Sequence, residues 1–316
     1  MRGCRRQRER SERKPGNYAR RYLIQGHYYV MIGKVEGLNV PFSDVKTTGR
    51  IKYYPDGTYE FMVANKPIFG GSGFEERGQE KGKCVRGKRT KETNLARSRR
   101  RAISKFRDYA MCSDFKFFVT LTFAPDKVDR YDLGAIIKTI RSWLDNRVRR
   151  KGLVYLLVPE LHKDGAVHMH GLFNDCPIGI VDSGTIDHDD FSKPRKPRGK
   201  AERERWLTSG GRIVYNISDW GYGFSTAIEL YGERVKAVSY AVKYITKMDD
   251  KIGGRWYYGG GALRLPLVVL SDCNLADVLE AYPDTYTIDV PEAGLCFGIR
   301  RACKKQDFSW ERKTEE

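Results

Sequence analysis

Two imidazoles one residue apart follow a carboxylate eight positions upstream in Glu160-Leu-His-Lys-Asp-Gly-Ala-Val-His-Met-His170. Imidazole nitrogens and carboxylate oxygens are the donors that hold divalent ions. On a β-strand successive side chains point to opposite faces, so His168 and His170 share one face and Met169 takes the other. The intervening turn brings in the third donor. Lys163-Asp164-Gly165 reads as a three-residue hairpin loop with Gly165 left-handed. That register pairs His162 with Ala166, Glu160 with His168 and Val158 with His170, and opposed residues share a face. Glu160, His168 and His170 then converge. A two-residue Asp-Gly loop would pair Glu160 with Met169 and break the set. His162 lies on the same expected face, as an alternative ligand, a nucleic-acid contact or an ordinary turn-proximal histidine.

A second set of reactive groups lies some 70 residues on, over Glu233–Lys247. At about 100° per helical residue, Tyr240, Lys243, Tyr244 and Lys247 share one face. Val235, Val238, Val242 and Ile245 form the opposite one. Tyrosines and lysines also decorate helices that do no chemistry, and a lone His-x-His is common. The two signatures carry more weight together.

The elements that must position these groups are legible in outline. Phe115–Phe123 (FKFFVTLTF) reads as a strand, with Phe117, Val119, Leu121 and Phe123 on one face and Phe118, Thr120 and Thr122 on the other. Asp132–Arg150 reads as an amphipathic helix capped by Asp132 and stopped by Gly152. Leu153–Leu161 is apolar on both faces, as a central strand requires. The order helix, strand, helix, hairpin, strand, helix predicts an α+β domain. The expected form is a mainly antiparallel sheet with helices packed on one face and the histidine site on the other.

Around this domain the chain is strongly basic: 58 Lys and Arg against 40 Asp and Glu in 316 residues, net +18. Such a surplus suggests a polyanionic partner, nucleic acid first. No apolar run approaches the roughly 20 residues of a bilayer span, so no membrane is expected. Seven scattered cysteines without a C-x-x-C pair fit a reducing cytoplasm. Residues 1–22 read as a basic flexible tail and 23–80 as a β-rich extension, with the main domain at 81–260. Residues 174–211, acidic then basic and proline-rich, read as an inserted loop, mobile or DNA-contacting. Residues 261–316 form a C-terminal extension of unassigned role. Residues 81–107 hold twelve Lys and Arg and one acid, which makes Arg97, Arg99, Arg100 and Arg101 a candidate rail for a DNA backbone. His188 and its aspartates could bind a second cation only if that loop is ordered. Trp220, Trp256, Tyr257 and Tyr258 fit core packing better than base stacking. No phosphate-binding loop ends in Gly-Lys-Ser/Thr, so no helicase or small-molecule cofactor is expected.

Three motifs in order carry a resemblance: Val119-Thr120-Leu121-Thr122-Phe123, then His168-Met169-His170, then Tyr240-x-x-Lys243-Tyr244-x-x-Lys247. Over roughly residues 90–260 the chain resembles the HUH endonuclease superfamily. Within it, the chain is most similar to the two-tyrosine rolling-circle replication initiators of single-stranded DNA phages and plasmids. The resemblance implies a metal-dependent endonuclease that nicks single-stranded origin DNA by tyrosine attack. It leaves a 5′-phosphotyrosyl enzyme and later rejoins the strand. It implies Mn²⁺ or Mg²⁺ on Glu160, His168 and His170, with Tyr240 and Tyr244 as nucleophiles. Lys243 and Lys247 become activators or phosphate contacts, and Thr120 and Thr122 candidate DNA contacts. Single Tyr→Phe variants would each keep one-step cleavage and the double variant none. The implied setting is the cytoplasm of a bacterial host, with a host helicase and polymerase as partners. A relaxase or transposase of the same superfamily is one rival, and a non-enzymatic DNA-binding regulator is another.

Overall fold

The computed structural model describes residues 21–24, 27–31, 47–69, 90–162, 164–175, 179–230, 234–291 and 294–302. Residues 1–20 of the expected basic tail and residues 70–89 therefore lie outside the described residues, whereas Arg21 and Tyr22, read from sequence as the end of that tail, open a strand. The elements run β1 (Arg21–Ile24), β2 (His27–Met31), β3 (Gly49–Tyr53), β4 (Tyr59–Ala64), α1 (Lys91–Cys112), β5 (Phe115–Leu121) and α2 (Leu133–Lys151). Then follow β6 (Tyr155–Leu161), β7 (Val167–Asn174), β8 (Ile180–Asp187), α3 (Lys200–Thr208), β9 (Arg212–Ile217), β10 (Ser225–Glu229) and α4 (Arg234–Lys247). The last are β11 (Tyr258–Gly260), β12 (Leu267–Ser271), α5 (Leu275–Ala281), β13 (Tyr286–Val290) and β14 (Leu295–Ala302). No helix among the described residues is long and apolar enough to cross a membrane.

The contacts divide the chain into two compact units. The first joins early and late segments in one sheet of order β1-β2-β12-β3-β4-β14-β13. There β12 runs parallel to β2 and antiparallel to β3, and β14 runs antiparallel to β4. Ile51, Phe61, Val63 and Val269 pack on Leu275 and Val278 of α5. The extensions flanking the main domain thus join in one sheet.

The second unit holds the sequence motifs on a mainly antiparallel sheet of order β11-β6-β7-β5-β10-β9-β8. Asp132 caps α2 by accepting from Ala135 N, and Gly152 ends the helix. Helices cover both faces of this sheet, where the sequence reading put them on one. Ile136, Ile140, Trp143 and Leu144 of α2 pack on Val119, Leu121, Met169 and Phe173. On the reverse face, α1 and α4 pack on Leu156, Val158 and Leu172. The reason is in β6, which is apolar on both sides, so each face needs its own cover. The histidine strand therefore shares a face with α4.

Within the expected loop over 174–211, residues 180–187 are instead strand β8 and residues 200–208 helix α3. β8 pairs with β9 at the sheet edge, and Ile186 is fully buried. Asp182-Ser-Gly-Thr185 lacks a strand's hydrophobic alternation, because pairing, not burial, holds this edge. His188 is ordered there: Nε2 lies 3.1 Å from both Ser209 O and Oγ, and Nδ1 accepts from Asp190 N. Both ring nitrogens are thereby occupied in local hydrogen bonds. Trp220, Trp256 and Tyr258 are buried and Tyr257 packs edge-on to Phe106, as core packing expects.

Candidate active site

The hairpin forms with the expected register. Glu160 pairs with His168, Val158 with His170, and His162 N donates to Ala166 O at 2.8 Å. Gly165 takes φ +86°, the left-handed turn conformation that a side chain disfavours. Register and turn chemistry agree, which fixes which residues face the site.

The adjacent strand adds what the hairpin alone cannot. Thr120 lies directly across from His170, and its Oγ1 stands 3.1 Å from His170 Nδ1. That contact orients the ring and directs Nε2 at Glu160. His170 Nε2 comes within 2.9 Å of Glu160 Oε2, yet this buried nitrogen has no well-formed hydrogen bond. Burial drives the His170 pKa down to about 4, outweighing the opposing pull of Glu160. The His168 pKa is also lowered, by burial first and by His162 second. Two rings that resist protonation present lone pairs, as metal ligands must.

The donors meet a metal's requirements in part. Neighbouring ligands of an octahedral ion with bonds of about 2.1 Å stand about 3 Å apart. The Glu160–His170 pair matches that spacing and its chemistry. His168 stands apart: its ring centroid is 6.3 Å from that of His170 and 4.8 Å from that of His162. Among the described residues no group of three His, Cys, Asp or Glu side chains is placed to hold a metal ion. Glu160 is shared instead with Lys247, whose Nζ is 3.4 Å from Oε1.

Helix α4 brings the phenols to this point. Val238, Val242 and Ile245 are buried against the sheet as its periodicity predicts, while the side chain of Val235 lies outside the described residues. The two tyrosines differ. Tyr244 is 8% exposed and stacks flat on His170, with ring centroids 4.3 Å apart and planes 8° from parallel. Its hydroxyl donates to Tyr240 Oη at 3.0 Å. Tyr240 is 49% exposed. Burial pushes the Tyr244 pKa up, reinforced by the hydrogen bond to Tyr240 and the Glu160 charge. Phe118, given no role from sequence, packs edge-on to Tyr240 at 5.1 Å and lies 6.5 Å from the Tyr244 ring. Lys247 Nζ lies 5.3 Å from the Tyr244 ring centroid, and Lys243 is exposed on the same helix. Tyr240, Tyr244, His170, Glu160 and Lys247 thus form a continuous chain of contacts.

Among the proposed DNA-contacting residues, Arg97, Arg100 and Arg101 are exposed along α1. Arg99 is only half-exposed and bonds within the protein. Its Nη1 donates to Met248 O at 2.9 Å, and its guanidinium lies 6.0 Å from the Trp256 ring centroid. It thereby satisfies carbonyls at the C-terminal end of α4, where a cation is also favoured by the helix dipole. Arg99→Ala should lower the unfolding free energy by about 1–2 kcal/mol, checked by urea denaturation. Thr120 and Thr122 are likewise committed within the protein: Thr120 to His170, and Thr122 to the backbone of Phe224. Strand composition exposed these threonines; only the β5–β7 and β5–β10 registers reveal their partners.

No curated protein and no solved structure matches the chain. Residues 116–249 match a family model described as replication-associated protein, of the ORF2 type, a span from β5 through α4 that contains all the side chains of this cluster. The region is therefore similar to replication-associated proteins, which is consistent with a role in replication initiation.

Proposed function

We propose that the protein initiates replication by nicking single-stranded origin DNA, with Tyr240 as the first nucleophile and a divalent ion on Glu160, His168 and His170. The observation that carries this reading is the contact of the two-tyrosine helix with the histidine hairpin: Tyr244 lies on His170 and donates to Tyr240. Tyr240 Oη attacks the scissile phosphorus, forming a phosphotyrosyl ester as the bond to the 3′ oxygen breaks. The phenolic proton passes to water, and the departing 3′ oxygen gains one to become a free hydroxyl. Tyr244 donates a hydrogen bond to the oxygen on which negative charge develops. Lys243 and Lys247 stand on the phosphate side of the helix, and Thr120 holds the His170 ring in position. When bound, Mn²⁺ or Mg²⁺ would neutralise charge on the phosphate oxygens. The ester keeps the bond energy, so a later 3′ hydroxyl can reverse the step and rejoin the strand. A host polymerase would extend the free 3′ end, and a host helicase would open the duplex.

The test is direct. Single-stranded DNA carrying a candidate origin, incubated with the protein and Mn²⁺, should yield an adduct that survives denaturing electrophoresis. EDTA should suppress it by at least about a hundredfold. Tight binding that ignores EDTA, with no adduct on any origin tested, would instead identify a non-enzymatic regulator.

A further inference from the structure

We propose that Phe224 is a base-stacking platform for single-stranded DNA beside the scissile phosphate, an assignment that rests on the nicking function proposed above. Phe224 is 63% exposed, and no large apolar side chain among the described residues of its unit is more so. Yet its backbone is held firmly. Thr122 N and Thr122 Oγ1 both donate to Phe224 O at 2.9 Å, and Phe224 N donates to Thr122 Oγ1 at 3.0 Å. Trp220 Nε1 adds a bond to Thr122 O at 3.0 Å, anchoring the same corner from the core. A phenyl ring is thus presented to solvent from a fixed position, although burying it would be favourable.

Its placement ties it to the cluster. Thr226 pairs with Thr120, which pairs with His170, so these three residues cross the sheet in one row on one face. Phe224 precedes Thr226 by two positions, and strand alternation puts it on that face as well. Two strand spacings of about 4.8 Å and two residues of about 3.4 Å place its Cα roughly 12 Å from that of His170. That is about three nucleotides of a stacked strand rising ~3.4 Å each. The chain's net charge of +18, and the exposed Lys243 and Lys247 on α4, suit a polyanion. A protruding aromatic on the same sheet face as His170 suits the exposed bases of a single strand, because every base has a π-face.

The full-length protein is titrated, in EDTA and low salt, into fluorescein-labelled oligothymidylate and into an all-abasic strand of equal length. The wild type should prefer the base-bearing strand. Phe224→Ala should weaken oligothymidylate binding by about tenfold or more, leave the abasic strand nearly unaffected, and so abolish the preference. Phe224→Trp should retain it. Equal binding by Phe224→Ala and wild type, or equal losses on both strands, would overturn the platform. So would a change in oligomeric mass with DNA binding intact, which would mark the ring as a contact between copies of the chain. Because these titrations involve no cleavage, the platform stands or falls separately from the phosphotyrosyl adduct.

Discussion

Tyr240→Phe should abolish the first covalent adduct, by about a thousandfold or more, whereas Tyr244→Phe should slow it by only about ten- to a hundredfold. The larger loss follows from deleting the nucleophile itself. The smaller one reflects a single hydrogen bond to developing charge, of the size that bonds to charged groups contribute. As a sequence the two phenols are equivalent, and either could start the reaction. Burial separates them: Tyr240 is 49% exposed, while Tyr244 is 8% exposed and stacked on His170. On the proposed function, an incoming phosphate would meet Tyr240, the more exposed phenol, first. Tyr244 would have to leave its stacking on His170 to take up a strand, which suits a second transfer on the proposed function. The measurement is adduct formed against time on origin DNA, followed by mass spectrometry of the DNA-linked peptide. An adduct formed by Tyr240→Phe at the wild-type rate, and lost in Tyr244→Phe, would reverse the assignment.

Gly171→Ala should destabilise the second unit by about 3 kcal/mol or more and remove the proposed nicking with it. A Cβ at Gly171 would fall on Leu156 O, 2.8 Å from Leu156 C and 2.9 Å from Leu157 Cα. Those atoms are backbone of the neighbouring strand, so they cannot turn aside as a flexible side chain would. Relief requires prising β6 from β7, and that pairing sets Glu160 opposite His168. Urea denaturation followed by tryptophan fluorescence reports the change, because Trp143, Trp220 and Trp256 are buried in this unit. A midpoint equal to that of the wild type would show that the two strands yield more readily than their packing indicates.

What was legible in the sequence was local. Asp164-Gly165 with its flanking register set the hairpin, Asp132 and Gly152 bounded α2, and the spacing of Val238, Val242 and Ile245 oriented α4. Each of these depends on neighbours a few positions away. What escaped depends on distant pairing. Thr120 meets His170 across a separation of 50 residues, and Arg99 reaches Met248 across 149. No turn residue or periodicity encodes those contacts. The same holds for Tyr244, whose helical angle put it with the polar face although Phe118 and His170 enclose it. The second layer of helices was foreshadowed by the two-sided apolar character of residues 153–161 but not placed by it.

The first sheet interleaves early and late strands, with β12 between β2 and β3 and β14 beside β4. This ordering has a consequence for synthesis on the ribosome. The second unit ends at Pro266, so all its strands exist before β12 is made. It can fold as the chain emerges, since domains generally form as units during translation. The other unit must hold β2, β3 and β4 waiting until β14 arrives some 230 residues after β4 ends. A chain truncated before Leu267 would therefore keep the unit that carries the histidine hairpin and the tyrosine helix while leaving those early strands with open edges, available to pair with other chains.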